Sequence, residues 1–493
     1  MATVTDTISQ IVQETLTPKI DLLMLKLSPF FQQVFRDSRN VKNDPNIGKD
    51  WKVLRTFCLG LAGATEWASM TGPDVLHNDN DGASGAPGYQ VYGGVETWPG
   101  LTEATAPAYV RREVTLKRLK VTMYVPLTII RAAMLGSSIG DQMEKTIDAT
   151  AMRVAMDKCN AFFAKTISGG KNVLGQFTAS STNISSTGAQ ITLNSGSSIR
   201  RFASGMRVDL FTQGSGTRLN NDPVFVDVVD PFGTSGSPVT TGGGTIKLFH
   251  VGAATTSIAS GTIDIVPRNS GRENGASSSN MPTPLEDILI DTGNVYGVSV
   301  DNYPILKSLV RDLGGLTLTE STLIKHCAHY YHARGDLFAF DHLWSTAGVW
   351  AGYFNNLDGY YQIERNGAVS NVKAGVADKV TFSLYGHTLS CAADPWIPTG
   401  TVYGLKMNDG NFSMVVPPRI RRTATSPVFD PGIEFLAPLF SNTGSIFQGY
   451  KKVGGADAGA TTDFLEAPGE HPYEIMPEYI PGMKLTSAAE FYG

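Results

Sequence analysis

Three histidines and a cysteine lie close together on one predicted helix and form the densest group of potential metal ligands in the chain. They are His326, Cys327, His329 and His332, on a helix predicted over 316–332. His326 and His329 share a face, whereas His332 lies about 120° around the helix from His326. Helical metal sites often use two ligands four residues apart, and this group contains no such pair. We therefore interpret these residues as ordinary surface or interface histidines and predict no metal site.

Motifs for phosphate, nucleotide or acyl chemistry do not occur in the sequence. The run Gly242-Gly243-Gly244 has no predicted helix behind it to receive a phosphate, so it is interpreted as a turn. Asp291, Asp301 and Asp312 are near one another only along the chain and are interpreted as solvated carboxylates. We therefore predict that the protein is not an enzyme and binds no cofactor.

Composition favours a large folded chain with much of its surface covered. The 493 residues are 42% apolar but only 17% charged, against about 25% in ordinary proteins, and this length allows two or three cores. A net charge of −5 argues against tight nucleic-acid binding and allows the protein to line a space that contains DNA. The cysteines form no CxxC pair, and neither a signal peptide nor a membrane span is predicted. Synthesis in a reducing cytoplasm is expected.

A basic, alternating stretch follows a glycine-rich region at 71–110. Val114 and Leu116 occupy one phase of the alternation, and the apolar residues that follow Leu119 occupy the other. This slip of one residue indicates either a bulge or a strand that passes from one packing environment to another. The basic residues of this stretch are candidates for an ionic contact with a neighbouring subunit, and the alternative is that they form a solvated face of a hairpin. They are Arg111, Arg112, Lys117, Arg118 and Lys120.

A long helix is predicted over 141–165, which contains neither glycine nor proline. Met143, Ile147, Ala151 and Val154 lie on one apolar stripe of it. A glycine- and serine-rich hinge at 136–140 precedes it. After it, at 171–283, short alternating runs are separated by Ser/Gly/Thr-rich turns, a pattern typical of a small β-barrel or sandwich. This segment is the best candidate for an inserted domain.

The two ends of the chain and its second half give mixed signals. Residues 1–45 resemble an apolar arm that lies on another subunit or on the body of its own chain, and a strand is predicted over 51–58. Helices are predicted at 304–313, 316–332 and 345–356, and a strand at 380–384. The tail beyond Gly432 is rich in proline, glycine and aromatic residues and has only weak strand signals.

The order of these segments, and four short stretches within them, carry a family resemblance. VPLTII at 125–130 leads towards the long helix, and MDK at 156–158 lies near its end. YGHTL at 385–389 and IPTGTVYGL at 397–405 are similar to a strand–turn–strand block. On these features the chain resembles the major capsid proteins of tailed double-stranded DNA bacteriophages.

The resemblance implies an α+β Hong Kong 97-like capsid fold with an N-terminal arm, an extended β-ribbon loop, a long spine helix, an axial domain and an inserted small all-β domain. Its expected boundaries are 1–70 for the arm and first peripheral-domain strand, 71–126 for the extended loop, 127–170 for the spine helix region, 171–283 for the inserted domain, 284–432 for the axial domain with peripheral-domain segments, and 433–493 for the C-terminal segment.

The function implied by the resemblance is self-assembly into the icosahedral head shell that encloses packaged DNA in the virion, without sequence-specific DNA binding. The expected partners are further copies in hexamers and pentamers, a separate scaffolding protein, a portal and decoration proteins, and assembly is expected in the host cytoplasm. The nearest alternative is an encapsulin-like nanocompartment with an enzyme as cargo. A third hypothesis is a β-rich tail or adhesin-like binding protein, which the long helix and the mixed α/β second half of the chain disfavour.

Overall fold

A computed structural model describes the chain in separate segments. These are residues 23, 26–35, 41–43, 52–58, 90–92, 95–97, 109–126, 140–167, 170–194, 199–213, 215–230, 244–251, 254–271, 280–334, 339–357, 380–384, 387–407, 411–416, 420–422, 427–429, 434–435, 451–452, 464–477 and 481–490. The expected N-terminal helix before residue 20, most of the glycine-rich region and the hinge at 136–139 lie outside them.

The described helices differ greatly in length. They are α1 (Pro29–Phe35), α2 (Gly140–Phe162), α3 (Leu285–Ile288), α4 (Glu320–Arg334) and α5 (Ala347–Leu357), with short 3₁₀ turns at Ile199–Arg201 and Pro304–Leu306. Helix α2 is the long helix that the sequence predicts, and Ala151 and Val154 of its apolar stripe are buried. No helix among the described residues is long and apolar enough to cross a bilayer.

One six-stranded sheet joins distant parts of the chain. It contains Val41–Asn43, Lys117–Pro126, Phe412–Val416, Glu434–Phe435, Lys451–Lys452 and Phe464–Pro477. The strand Phe464–Pro477 is its centre, since it pairs antiparallel with Phe412–Val416 and, over ten residues, with Lys117–Pro126. The sequence therefore predicts too little strand in this segment. Its prolines disfavour a strand, but pairing with distant strands stabilises the strand that forms.

Residues 174–271, here called the β unit, have a hydrophobic core of their own. A six-stranded antiparallel sheet contains Gly175–Ala179, Ala189–Thr192, Arg207–Thr212, Val224–Asp230, Thr245–His250 and Gly261–Pro267, and a two-stranded piece contains Thr182–Ile184 and Thr256–Ile258. The core cluster of this unit runs from Leu174 to Ile265 and contains no buried residue from elsewhere in the described chain.

A third sheet lies in the second half of the chain. It contains Leu309–Asp312, His342–Ser345, Val380–Leu384, His387–Ala393, Val402–Leu405 and Met483–Thr486. The helix predicted over 304–313 is wrong here, because only Pro304–Leu306 forms a 3₁₀ turn and Leu309–Asp312 is a strand. The physical reason is non-local, since this strand pairs in parallel with Met483–Thr486 near the C-terminus. Smaller pairings are formed by Gln90–Tyr92 with Val95–Thr97, Lys165–Ile167 with Gly170–Val173, Asn294–Val295 with Val298–Ser299, and Ile420–Arg422 with Pro427–Phe429.

The aromatic residues of helix α1 form part of the main core. Phe30 and Phe31 are fully buried, and the Phe30 ring lies 5.2 Å from Phe162 and 5.3 Å from Trp344, centroid to centroid. Complete burial of a phenylalanine stabilises a fold by about 1.5–3 kcal/mol. The N-terminal region was expected to lie either on another subunit or on its own chain, and residues 28–35 lie on the body of their own chain.

Candidate assembly interface

The basic stretch contributes one strand to a two-stranded ribbon. Lys52–Cys58 pairs antiparallel with Tyr109–Thr115, and within the described part of the chain neither strand pairs with any other. The register sets Arg112 opposite Arg55 and Arg111 opposite Thr56. Arg55, Arg111 and Arg112 thus occupy three basic register positions of this ribbon.

Leu116 marks the point where the extended chain changes partner. Before it, Tyr109–Thr115 belongs to the ribbon, and after it, Lys117–Pro126 pairs with the strand Phe464–Pro477. Val114 and Leu116 are each 4% exposed and pack with Met476. The one-residue slip in the alternation thus coincides with the passage from the ribbon to the sheet, and the apolar contact with Met476 anchors the base of the ribbon.

The five basic residues are divided between these two pairings. Arg111 and Arg112 lie on the ribbon, whereas Lys117, Arg118 and Lys120 lie on the sheet strand, opposite Tyr473, Pro472 and Glu470 respectively. They do not share one pairing environment, and their contact with a neighbouring subunit stays a prediction.

Lys117 lies close to a buried carboxylate of its own chain. Glu474 is fully buried, its Oε1 accepts a hydrogen bond from the backbone N–H of Thr283 at 2.7 Å, and no described group donates to its Oε2. Burial raises the pKa of Glu474 to about 8, while the Thr283 hydrogen bonds and the positive charge of Lys117 act to lower it. Lys117 therefore has an electrostatic role inside the subunit.

The histidine group on helix α4 does not converge on one point. Cys327 is fully buried in the core of the second half, whereas His329 and His332 are exposed. Burial raises the pKa of the Cys327 thiol to about 12, and the thiolate is the form that binds metals. Burial and the positive charges of Lys325 and Arg311 hold the pKa of His326 below its ordinary value. No group of three potential ligands among the described residues is arranged to hold a metal ion.

Asp394 holds helix α1 against the body, a role that sequence reasoning missed. Its Oδ2 accepts hydrogen bonds from the Ser28 hydroxyl and from the backbone N–H of Phe30, and its Oδ1 accepts one from the backbone N–H of Trp396 at 2.9 Å. The Trp396 indole N–H also donates to the carbonyl of Leu27 at 3.0 Å. A carboxylate at a helix start satisfies N–H groups that have no partner within the helix. Nothing local in the sequence indicates this cap, because the carboxylate lies 364 residues beyond Phe30 in the sequence.

Arg201 is the second residue that sequence reasoning missed. It lies in the 3₁₀ turn of the β unit, is 4% exposed, and its Nη2 donates to the carbonyls of Phe163 at 2.8 Å and Trp396 at 2.9 Å. The Asn160 side chain in helix α2 donates to the Arg201 carbonyl at 2.9 Å. Arg201 thus joins the β unit to the end of the long helix and to the turn that holds α1. We call this set of contacts the Arg201 junction.

Comparison with known proteins gives matches at the level of structure. No family model and no curated protein sequence matches the chain. The capsid asymmetric unit of cyanophage A-1(L) matches at 8% identity over 92% of this chain and 91% of that chain, with a TM-score of 0.39. The capsid of the Myoviridae phage XM1 matches at 7% identity over 92% and 91%, with a TM-score of 0.32.

A holo encapsulin complex from Synechococcus elongatus matches a smaller part, 39% of this chain and 59% of that chain, at 9% identity and a TM-score of 0.22. The cyanophage and XM1 capsid chains each span about nine tenths of this chain.

Proposed function

We propose that the chain is the major capsid protein of a tailed phage, which self-assembles into an icosahedral head shell around packaged double-stranded DNA. The observation that carries the proposal is the ribbon formed by Lys52–Cys58 and Tyr109–Thr115, which has pairing partners only within itself in the described chain. Two-stranded ribbons are marginally stable in water, and exposed strand edges invite further contacts. A second copy of the chain supplies the missing surface.

The base of the ribbon is suited to this role. Val114 and Leu116 are buried against Met476, and the chain continues directly into a sheet strand that is paired over ten residues. A contact made at the ribbon is therefore transmitted to the body of the subunit. The basic register positions of the ribbon, with Arg112 opposite Arg55, suit an acidic partner, and this chain carries a net charge of −5.

The other parts take the roles that the resemblance implies. In this proposal helix α2 is the spine helix, the third sheet with helices α4 and α5 belongs to the axial domain, and the β unit is an inserted domain on the outside of the shell. The separate core of the β unit supports its reading as an insertion. Obligate interfaces bury roughly 2,000–5,000 Å², and many individually weak contacts let misplaced subunits leave during assembly.

The proposed partners follow from the same role. Hexamers and pentamers of this chain form the shell, a separate scaffolding protein and a portal guide its assembly, and decoration proteins bind its outside. DNA is enclosed without sequence-specific contacts. The location is the virion, after assembly in the host cytoplasm.

Electron microscopy of the purified chain, expressed alone and together with its neighbouring genes, tests the proposal. Closed, uniform polyhedral shells are expected in at least one preparation. Shells with DNA inside support the phage reading, whereas shells with a protein cargo favour the nanocompartment. Small discrete oligomers in both preparations contradict the phage-capsid hypothesis and the nanocompartment hypothesis.

A further inference from the structure

Polar contacts at residues 201–205 join the β unit to the body. Arg201 donates to the carbonyls of Phe163 and Trp396, Asn160 donates to the Arg201 carbonyl, and Arg153 of helix α2 donates to the carbonyl of Gly205 at 2.7 Å. The apolar core of the unit is separate from the main core. Polar contacts between units with separate cores are typical of parts that change their relative position.

The positive charge of Arg201 lies at the C-terminal end of helix α2. The Phe163 carbonyl follows the last residue of helix α2, so it belongs to the helix end that carries partial negative charge. A planar guanidinium donates several hydrogen bonds in fixed directions, and here one nitrogen spans two carbonyls that belong to different parts of the body. The side chain is nearly fully buried, so water competes little for these bonds.

The second acceptor of Arg201 connects the junction to the N-terminal segment. Trp396 donates its backbone N–H to Asp394, and the other oxygen of Asp394 accepts from Phe30. The Trp396 indole holds the carbonyl of Leu27. A continuous series of hydrogen bonds therefore runs from α1 through Asp394, Trp396 and Arg201 to the end of α2.

We propose that the Arg201 junction couples the seating of residues 27–35 on the body to the docking of the β unit. When α1 is seated, Asp394 fixes Trp396, and the Trp396 carbonyl is in place to receive Arg201. When α1 leaves, the turn at 394–396 loses its ties to the N-terminal segment, and the β unit loses one of the carbonyls that hold it. The coupling is a property of one subunit and holds whether or not the chain forms shells.

Hydrogen–deuterium exchange on the full chain tests the coupling in both directions. Ser28→Ala removes one donor to Asp394 in the N-terminal segment, and Arg201→Met removes the two guanidinium bonds and keeps an apolar stem. Coupling between sites is reciprocal and usually lies between about 5- and 150-fold. We expect Ser28→Ala to accelerate exchange at 199–206, and Arg201→Met to accelerate exchange at Phe30 and Phe31, each by a factor within that range.

Two controls separate coupling from general loosening. Arg207→Met removes an arginine that contacts Phe225 inside the β unit and is expected to leave Phe30 and Phe31 protected as in the unmodified chain. The amide of Leu343 in the third sheet reports global unfolding, and Arg201→Lys replaces Arg201→Met if that amide loses protection. Unchanged exchange at Phe30 and Phe31 in a folded Arg201 variant overturns the proposal, as does equal acceleration in Arg207→Met.

Discussion

The Asp394 carboxylate accepts a hydrogen bond from the backbone N–H of Phe30 at 3.0 Å, across 364 residues of sequence. This contact, with the Ser28 hydroxyl on the same oxygen, places the start of helix α1 beside the turn that precedes Val402–Leu405. The two phenylalanines of α1 then enter the aromatic core around Phe162 and Trp344. The N-terminal segment is therefore part of the folded body from Ser28 onward.

Removal of the Asp394 carboxylate is expected to destabilise the fold. Asp394→Ala leaves the buried N–H groups of Phe30 and Trp396 without an acceptor, and each unsatisfied buried group costs about 1–3 kcal/mol. The midpoint of chemical denaturation should fall accordingly. Asp394→Asn keeps one acceptor oxygen and should lower the midpoint less. As a control, Leu316→Ala, at a residue that is 70% exposed, should leave the midpoint nearly unchanged. An unchanged midpoint in Asp394→Ala would refute this role.

Gly400 and Gly314 provide a matched pair for a test of close backbone approach. Both have positive φ, +70° and +61°, which side chains disfavour. A Cβ at Gly400 would lie 2.7 Å from the carbonyl oxygen of Ala488, whereas a Cβ at Gly314 meets nothing within 4 Å. We expect Gly314→Ala to cost about 1–2 kcal/mol from φ alone, and Gly400→Ala to cost clearly more. Equal losses in thermal denaturation would show that the contact with Ala488 relaxes freely.

The pKa of Glu474 predicts a pH dependence of stability. Since its folded-state pKa is raised from 4.5 to about 8, the unfolded chain ionises first as the pH rises. Below pH 4.5 both states are protonated. Between pH 4.5 and 8 the free energy of unfolding should fall by up to about 1.4 kcal/mol per pH unit, and above pH 8 this contribution is constant.

Glu474→Gln tests this pH dependence, because its amide does not ionise and its carbonyl oxygen is able to accept from Thr283. Denaturation at pH 4, 7 and 9 should show similar stability of the two proteins at pH 4. The variant should become progressively more stable than the unmodified chain at pH 7 and 9. A constant difference across this range would contradict the assignment.

Charge reversal on the ribbon is expected to block assembly and leave the subunit folded. The variant is Arg111→Glu with Arg112→Glu, and Lys117 is left unchanged because an acid there would face the buried Glu474. Sedimentation should show at least tenfold less assembled material, with the thermal midpoint of the subunit unchanged. The control is Lys325→Glu with Arg311→Glu, which alters net charge equally outside the ribbon. Normal shells from the ribbon variant would exclude the ionic contact.

Local periodicity accounts for what could be predicted of the fold. The apolar stripe of helix α2 and the short alternating runs of the β unit are patterns within one segment, and both elements are present close to their predicted positions. The slip between Val114 and Leu119 likewise marks the change of pairing partner at Leu116. In each case the information lies within a few residues of the element that it specifies.

The sequence by itself therefore determined the type and approximate bounds of the long helix, the β-rich character of 171–283 and the absence of catalytic motifs. Only the tertiary structure decided that the proline-containing segment Phe464–Pro477 is the central strand of a sheet, that Leu309–Asp312 is a strand, and that Asp394 and Arg201 hold α1 and the β unit. These features depend on partners that lie 174 or more residues away in the sequence. Strand pairing and buried hydrogen bonds are satisfied by whatever group folding brings near, and no local pattern records which group that is.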